Sequence, residues 1–455
     1  MFSKISKKLA KTAVISVALS VCFTASANDD VTRLGAELTP LGGLKAGNPE
    51  GTIPEWKGGL PIDAGKVVDG FMSNPFEGEE PKFVINSENY KEYENKLSEG
   101  QVAMLTKYPE SYKIPVYESR RTANVPQEIE AAAKRSVKGV ETVNDGNGLK
   151  GLSNSRYYAF PLPDKGVEVI WNHMTRYRGG SMKRTMVQVS PYANGDYSLV
   201  RFDDIFSFPE TVDGATDEHM ESVLFFYLQR VLSPSRLSGS VLMAHETVDQ
   251  VKDPRRVWVY NSGQRRVRRA PQVAYDGPGQ AADGQRVADN LDMYNGAPDR
   301  YDWELVGKKE MYIPYNNYEL GSPNHKYKDI FKAGHINQDL TRYELHRVWE
   351  VKATLKDGDR HVYAERTFYL DEDTWQIVLQ DMYDGRGNLW RVAEGHAVQF
   401  YHAQVPGYAG EVLYDLLNGR YLAMGFTNEE AHGPTFGTET ELRDFSPSAL
   451  RQAGR

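Results

Sequence analysis

The pattern of apolar and polar positions changes character near residue 166. Beyond it, short runs of β-branched and aromatic residues are cut by turn signals at near-even spacing. Four strands are predicted in the last third, at 343–355, 360–370, 375–383 and 389–400. Asp357-Gly358, Asp371-Glu372-Asp373-Thr374 and Asp384-Gly385-Arg386-Gly387-Asn388 join them. Such spacing predicts an antiparallel meander that curls toward a barrel. Upstream, 185–190 and 197–206 flank Ala193-Asn194-Gly195-Asp196 and predict a hairpin. Val257, Trp258, Val259 and Tyr260, followed by Asn261-Ser262-Gly263, predict another. Between the two hairpins the spacing predicts a helix. Thr216 is its cap, Asp217 and Glu218 fill its first turn, and Ser233-Pro234 ends it. Met220, Val223, Leu224, Tyr227 and Val231 would form its apolar stripe.

The turns also predict pairing. Centring the first on Asp357-Gly358 sets Trp349 opposite Arg366 and Arg347 opposite Phe368. The second sets Leu370 opposite Trp375 and Phe368 opposite Ile377, and the third sets Asp381 opposite Arg391. Alternation then gathers Leu345, Trp349, Val351, Leu355, Val362, Phe368, Leu370, Trp375, Ile377 and Leu379 on one face. Arg347, Arg366, Asp381 and Arg391 share that face. Burying an unpaired guanidinium is costly, so Asp381 is expected between Arg366 and Arg391. The cluster reads either as a rim ion pair or as a polar anchor inside an apolar cavity. Trp258, Tyr260, Trp349, Phe368 and Trp375 are the candidate lining residues.

Residues 28–165 read differently, as a Gly/Pro-rich arm with short helices laid over a β body at 166–455. Ser87 and Ser98 are candidate N-caps, and Ser98 has Gln101 at capping-box spacing before Val102, Met104 and Leu105. Pro126 fits the first turn of a helix through Ile129 to Lys134.

Residues 1–27 have the form of a secretory signal. Lys4, Lys7, Lys8 and Lys11 precede a short apolar stretch and the small-x-small site Ala25-Ser26-Ala27. The competing reading lipidates Cys22, the single cysteine, but Val21 stands where such a site prefers Gly or Ala. Cleavage after Ala27 removes four lysines and no acids, so the net charge of −8 becomes −8 − 4 = −12. A chain this acidic argues against broad nucleic-acid binding. It leaves no cysteine for a disulfide or thiolate metal site. Against that background, six arginines lie within residues 255–271. Arg265, Arg266, Arg268 and Arg269 read either as a solvated, charged strand edge or as a contact for anionic lipid or an acidic partner.

Catalytic signatures are missing. There is no Gly-x-Ser-x-Gly elbow and no His-Glu-x-x-His. Gly277-Pro278-Gly279 lacks a surrounding βαβ unit. Asp371-Glu372-Asp373 reads as a solvated hairpin tip rather than a calcium loop. No enzyme activity, cofactor or metal is expected.

Several longer motifs carry a resemblance. They include Leu34-Gly35-Ala36-Glu37-Leu38-Thr39-Pro40, Gly51-Thr52-Ile53-Pro54-Glu55-Trp56 and Trp171-Asn172-His173 with Arg176-Tyr177-Arg178-Gly179. Gly263 to Pro271, Asp299-Arg300-Tyr301-Asp302-Trp303, Gly334-His335-Ile336-Asn337 and Tyr343 to Trp349 continue it. The chain resembles a family of exported Gram-negative proteins labelled outer-membrane lipoprotein-sorting protein, with a domain of unknown function. The resemblance implies a fold similar to LolA and LolB: mainly β, an unclosed antiparallel barrel around a hydrophobic cavity, with helices as a lid. It implies a periplasmic carrier for lipid or other hydrophobic cargo, and as partners an inner-membrane resistance-nodulation-division-type exporter and an outer-membrane companion. A scaffold subunit of such an export complex is the alternative.

Overall fold

The computed structural model describes residues 31–270 and 275–454. The signal-like segment, with Cys22, lies outside the described residues, as does Pro271. The fold is mainly β. Its largest element is a 16-stranded sheet. In order across the sheet, the strands begin Arg266–Arg269, Arg256–Asn261, Val241–Thr247, Val223–Ser233, Leu199–Ser207 and Ser181–Val189. They continue Tyr421–Phe426, Val405–Asp415, Leu389–Phe400, Ile377–Tyr383, Glu365–Asp371 and Tyr343–Leu355. Short strands Ile114–Val116 and Phe83–Ile85 complete the path, and Tyr301–Pro314 pairs with Tyr343–Leu355. The first and last strands do not meet, so the barrel is unclosed.

Meander and hairpin form where the alternation places them. Register differs. Trp349 pairs with Leu370, not Arg366, and Arg366 pairs with Ala353. The first connection is wider than a two-residue turn, because pairing resumes only at Glu365. The slip is four residues, and an even slip leaves each side chain on its face. Bulges do change faces. One between Tyr369 and Leu370 sets Leu370 opposite Ile377 and Phe368 opposite Gln380. Another sets Arg391 opposite Met382 and Asp381 opposite Val392. Arg366, Met382 and Arg391 therefore form one row, and Asp381 points to the other side of the sheet.

The helix expected after Thr216 is only Asp217–Ser222. Val223–Ser233 continues as a strand. Its apolar run is nearly unbroken because both faces are covered. Leu224 and Phe225 join the inner core, while Val223, Phe226 and Leu228 join the outer cluster under the C-terminal helix Pro447–Ala453. A run buried on both faces loses its two-residue period and imitates helical spacing; its β-branched and aromatic residues favour the strand.

The N-terminal residues pack on the sheet and join it through Phe83–Ile85 and Ile114–Val116. Trp375 Nε1 donates to the Leu41 carbonyl at 2.8 Å. Glu99–Lys107 is a helix with the Ser98–Gln101 capping box. Ser87 caps nothing; Asn86 Oδ1 accepts the following backbone N–H groups instead. Pro126 is the N-cap of Gln127–Gly139. Asp371-Glu372-Asp373 is no solvated tip. All three are buried. The arm covers them, with Arg121 donating to Asp373 from Nε at 2.8 Å and Nη2 at 2.6 Å, and Arg347 Nε donating to Glu372 at 2.6 Å.

Candidate functional site

Much of the sheet's inner face is filled. The helix Gly166–Thr175 supplies Ile170 and Trp171, the loop around 288–297 supplies Met293 and Tyr294, and Trp375 closes the layer. What remains open is a cleft beside that filling, with a cavity volume of about 90 Å³. This is several times the space one water needs.

The local sequence explains the cleft's shape. The apolar helix ends at Thr175, and Arg176 turns into extended backbone. Gly179 and Gly180, at φ 84° and 71°, then swing the chain into Ser181–Val189. A Cβ on Gly179 would lie 2.5 Å from Phe436, so this corner admits only glycine. The corner holds Arg176 and Arg178 at the cleft. From the sheet, Met182, Phe206 and Tyr227 form one cross-strand row, and Arg184, Asp204 and Gln229 form the next row on the same face. Phe225, Phe400, Tyr408 and Phe436 extend the apolar wall.

Its polar end is a guanidinium cluster. Arg176 and Arg178 share Asp292, with Arg178 Nη1 at 3.0 Å from Oδ2 and Arg176 bonded to Oδ1. Arg178 also donates to the Met174 carbonyl at 3.1 Å. Its guanidinium lies 4.9 Å from the Phe206 ring centroid and 5.3 Å from that of Phe225, within cation–π range. Arg184 reaches Asp204 at 3.4 Å, and Gln229 donates to the other Asp204 oxygen at 3.0 Å.

Electrostatics single out Arg178, since, against burial, Asp292 raises Arg176 and Asp204 raises Arg184. Burial pushes the Arg178 guanidinium down to about 10, Asp292 offsets this only in part, and Arg176 repels it further. Asp292 itself is held well below the usual carboxylate range, because Arg176 and Arg178 outweigh its burial. Burial and the Asp292 charge push Glu411 up to about 7. Its carboxylate accepts the Met293 N–H at 2.8 Å.

None of the residues predicted to line a cavity lies in this cleft. Trp258 and Tyr260 face the other side of the sheet and pack in the cluster containing Phe445 and Leu450. Trp349 and Trp375 stack with ring centroids 5.8 Å apart, and with Phe368 they belong to the inner core. The expected Arg366–Asp381–Arg391 cluster does not form. Arg366 is held by Asp289, and Arg391 by Asp415 at 3.1 Å. Asp381 accepts from Ser98 Oγ at 3.1 Å, beneath the capped helix. Arg265, Arg266, Arg268 and Arg269 are exposed at the edge of the sheet. Sequence reading quoted Arg176 and Arg178 only within a motif. Two arginines beside paired glycines, directly after a helix with the apolar run Val169-Ile170-Trp171, were the available signal.

Among the described residues His346, Asp371 and Asp373 approach closely enough to hold a metal ion. Both Asp373 oxygens already accept from Arg121, so the group fits a structural ion network better than a metal site.

The fold and cleft define a mainly β protein whose unclosed sheet curves around a partly open inner face. The chain belongs to the family of proteins of unknown function DUF1329, which it matches over residues 84–451. It is 55% identical over 454 residues to an uncharacterized protein of Pseudomonas aeruginosa, covering 99% of each chain. Among solved structures, it is similar to a Vibrio parahaemolyticus domain described as an outer membrane lipoprotein-sorting protein domain. That likeness has a TM-score of 0.43 and 14% identity, covering 63% of this chain and 98% of that one. A DUF1329 family protein from Desulfovibrio piger gives 0.42 and 13%, covering 60% and 92%. A LolA superfamily protein from Nitrosomonas europaea gives 0.37 and 9%, covering 62% and 98%.

Proposed function

We propose that the protein is an exported, non-enzymatic carrier that takes a lipid or other hydrophobic molecule into the inner-face cleft and moves it across the periplasm. The observation that carries this is the cleft itself. An aromatic wall of Phe206, Phe225, Phe400 and Phe436 is left unfilled on a face otherwise packed with side chains. Covering such a wall with cargo removes apolar surface from water at roughly 25 cal/mol per Å². The signal-like residues 1–27 supply the route of export. The exposed arginines Arg265, Arg266, Arg268 and Arg269 suit a surface that meets anionic lipid where cargo is loaded or released.

Native mass spectrometry of the protein purified from its periplasm, with solvent extraction of the same sample, tests the reading. A defined adduct that partitions into organic solvent is the expected result. A protein without adduct that also takes up no fluorescent fatty acid would overturn it.

A further inference from the structure

The guanidinium cluster is larger than its internal partners need. Asp292 serves both Arg176 and Arg178, and Asp204 serves Arg184. Glu411, the third carboxyl at the cleft, makes no ion pair with these guanidinium groups among the described residues, and burial raises it. A fourth guanidinium stands behind them. Arg286 is 7% exposed, lies in a second hollow of about 70 Å³, and makes no ion pair among the described residues. Its Nε has no hydrogen-bond partner, and neither has that of Arg178. Buried guanidinium donors left unpaired are costly unless something absent from the protein itself completes them.

The hollows adjoin. The Arg286 hollow shares Tyr227 and Leu291 with the main cleft. On the other side, the cleft shares Phe400, Tyr408 and Pro434 with a third hollow of about 40 Å³, lined by Phe71, Met72, Val398 and Ala409. The path thus grades from guanidinium groups at one end to aliphatic and aromatic carbon at the other. The three hollows are small, at about 90, 70 and 40 Å³, which suits an extended chain better than a bulky ring system.

We propose that Arg176, Arg178, Arg184 and Arg286 seat the anionic headgroup, a carboxylate or a phosphate, of a single-chain amphiphile whose tail runs past Phe400 toward Val398. This rests on the carrier reading and specifies its cargo class. Guanidinium forks are matched to both headgroups, and Arg178 is held at the cleft by its approach to the Phe206 and Phe225 rings.

The test measures binding of dodecanoate, dodecyl phosphate and dodecanol to the full chain by titration calorimetry. The three probes share a tail and differ in headgroup. Both anions, or one of them, are expected to bind about 10- to 100-fold more tightly than the alcohol, the worth of one or two charge-assisted hydrogen bonds. Which anion leads separates a fatty-acid source from a single-chain phosphate lipid. Arg178→Gln and Arg286→Met should each erase that preference. Phe436→Ala should weaken all three alike. Dodecanol binding as tightly as the anions to the parent protein would overturn the headgroup seat and leave the carrier reading intact. Failure of all three to bind would overturn both. The comparison within the parent protein needs no variant to fold.

Discussion

Arg366 and Asp289, 77 positions apart, join through two hydrogen bonds of 3.0 and 2.7 Å in a fully buried fork. The pair fastens the loop around 288–297 to the meander, and that loop carries Asp292 to the cleft. His361 adds a third bond to Asp289 at 3.0 Å. Removing the carboxylate would leave a buried guanidinium without its counter-charge.

Asp289→Ala should therefore lower stability by about 3–5 kcal/mol, measured by urea unfolding near neutral pH. Burial raises the Asp289 carboxyl, but Arg366 and His361 outweigh it and hold the group down at about 2. A depressed carboxyl stabilises the fold above its unfolded value of 3.8 and loses that contribution as pH falls toward 2. The gap between parent and variant should narrow over that window. A gap that stays constant from pH 7 to pH 2 would refute the assignment.

Glu394 should give the opposite pH signature. Its Oε1 accepts from the Tyr112 hydroxyl at 3.1 Å and the Tyr343 hydroxyl at 2.9 Å, and burial pushes the carboxyl from 4.5 up to about 7. A raised carboxyl binds a proton more readily in the folded state. The parent protein is thus penalised progressively as pH rises from about 4.5 to 7. Glu394→Gln mimics the protonated group. It should match the parent near pH 4.5 and be more stable at pH 8, read as a difference in thermal midpoint. Equal midpoints at both pH values would argue against a protonated Glu394 at low pH.

Trp375 separates packing from binding. It is fully buried against Trp349 and does not touch the cleft. Trp375→Ala should cost about 3–5 kcal/mol in denaturant unfolding. The folded fraction should still bind a hydrophobic probe with parental affinity. Loss of affinity in the folded fraction would return Trp375 to the binding site, where the sequence pattern had put it.

The edge arginines make a surface prediction. Replacing Arg265, Arg266, Arg268 and Arg269 with Gln should change the thermal midpoint little, because all four are exposed. Co-sedimentation with vesicles containing an anionic phospholipid should fall strongly at low salt and already be weak for the parent at high salt. Retention of full vesicle binding would remove the proposed membrane contact.

Local sequence was enough to set the family, the β character, the meander strands, the hairpins and the Ser98 helix cap. Each follows from local information: side-chain alternation, turn chemistry or a capping residue at fixed spacing. It also placed Arg366 and Arg391 on one face, which holds because two odd shifts of register cancel between them. Tertiary structure alone decided the rest. Two bulges moved Asp381 off that face, and no side-chain pattern announces where a ladder gains a residue. Burial on both faces erased the period of Val223–Ser233 and made a strand look helical. The acid that seats Arg366 comes from a distant loop, and Arg121, 252 positions away, not composition, covers Asp373. The cleft is what remains after Trp171, Tyr294 and Trp375 have filled the inner face. Which residues are left uncovered is a property of the whole packing, so Arg178 and Phe436 became neighbours only in the folded chain.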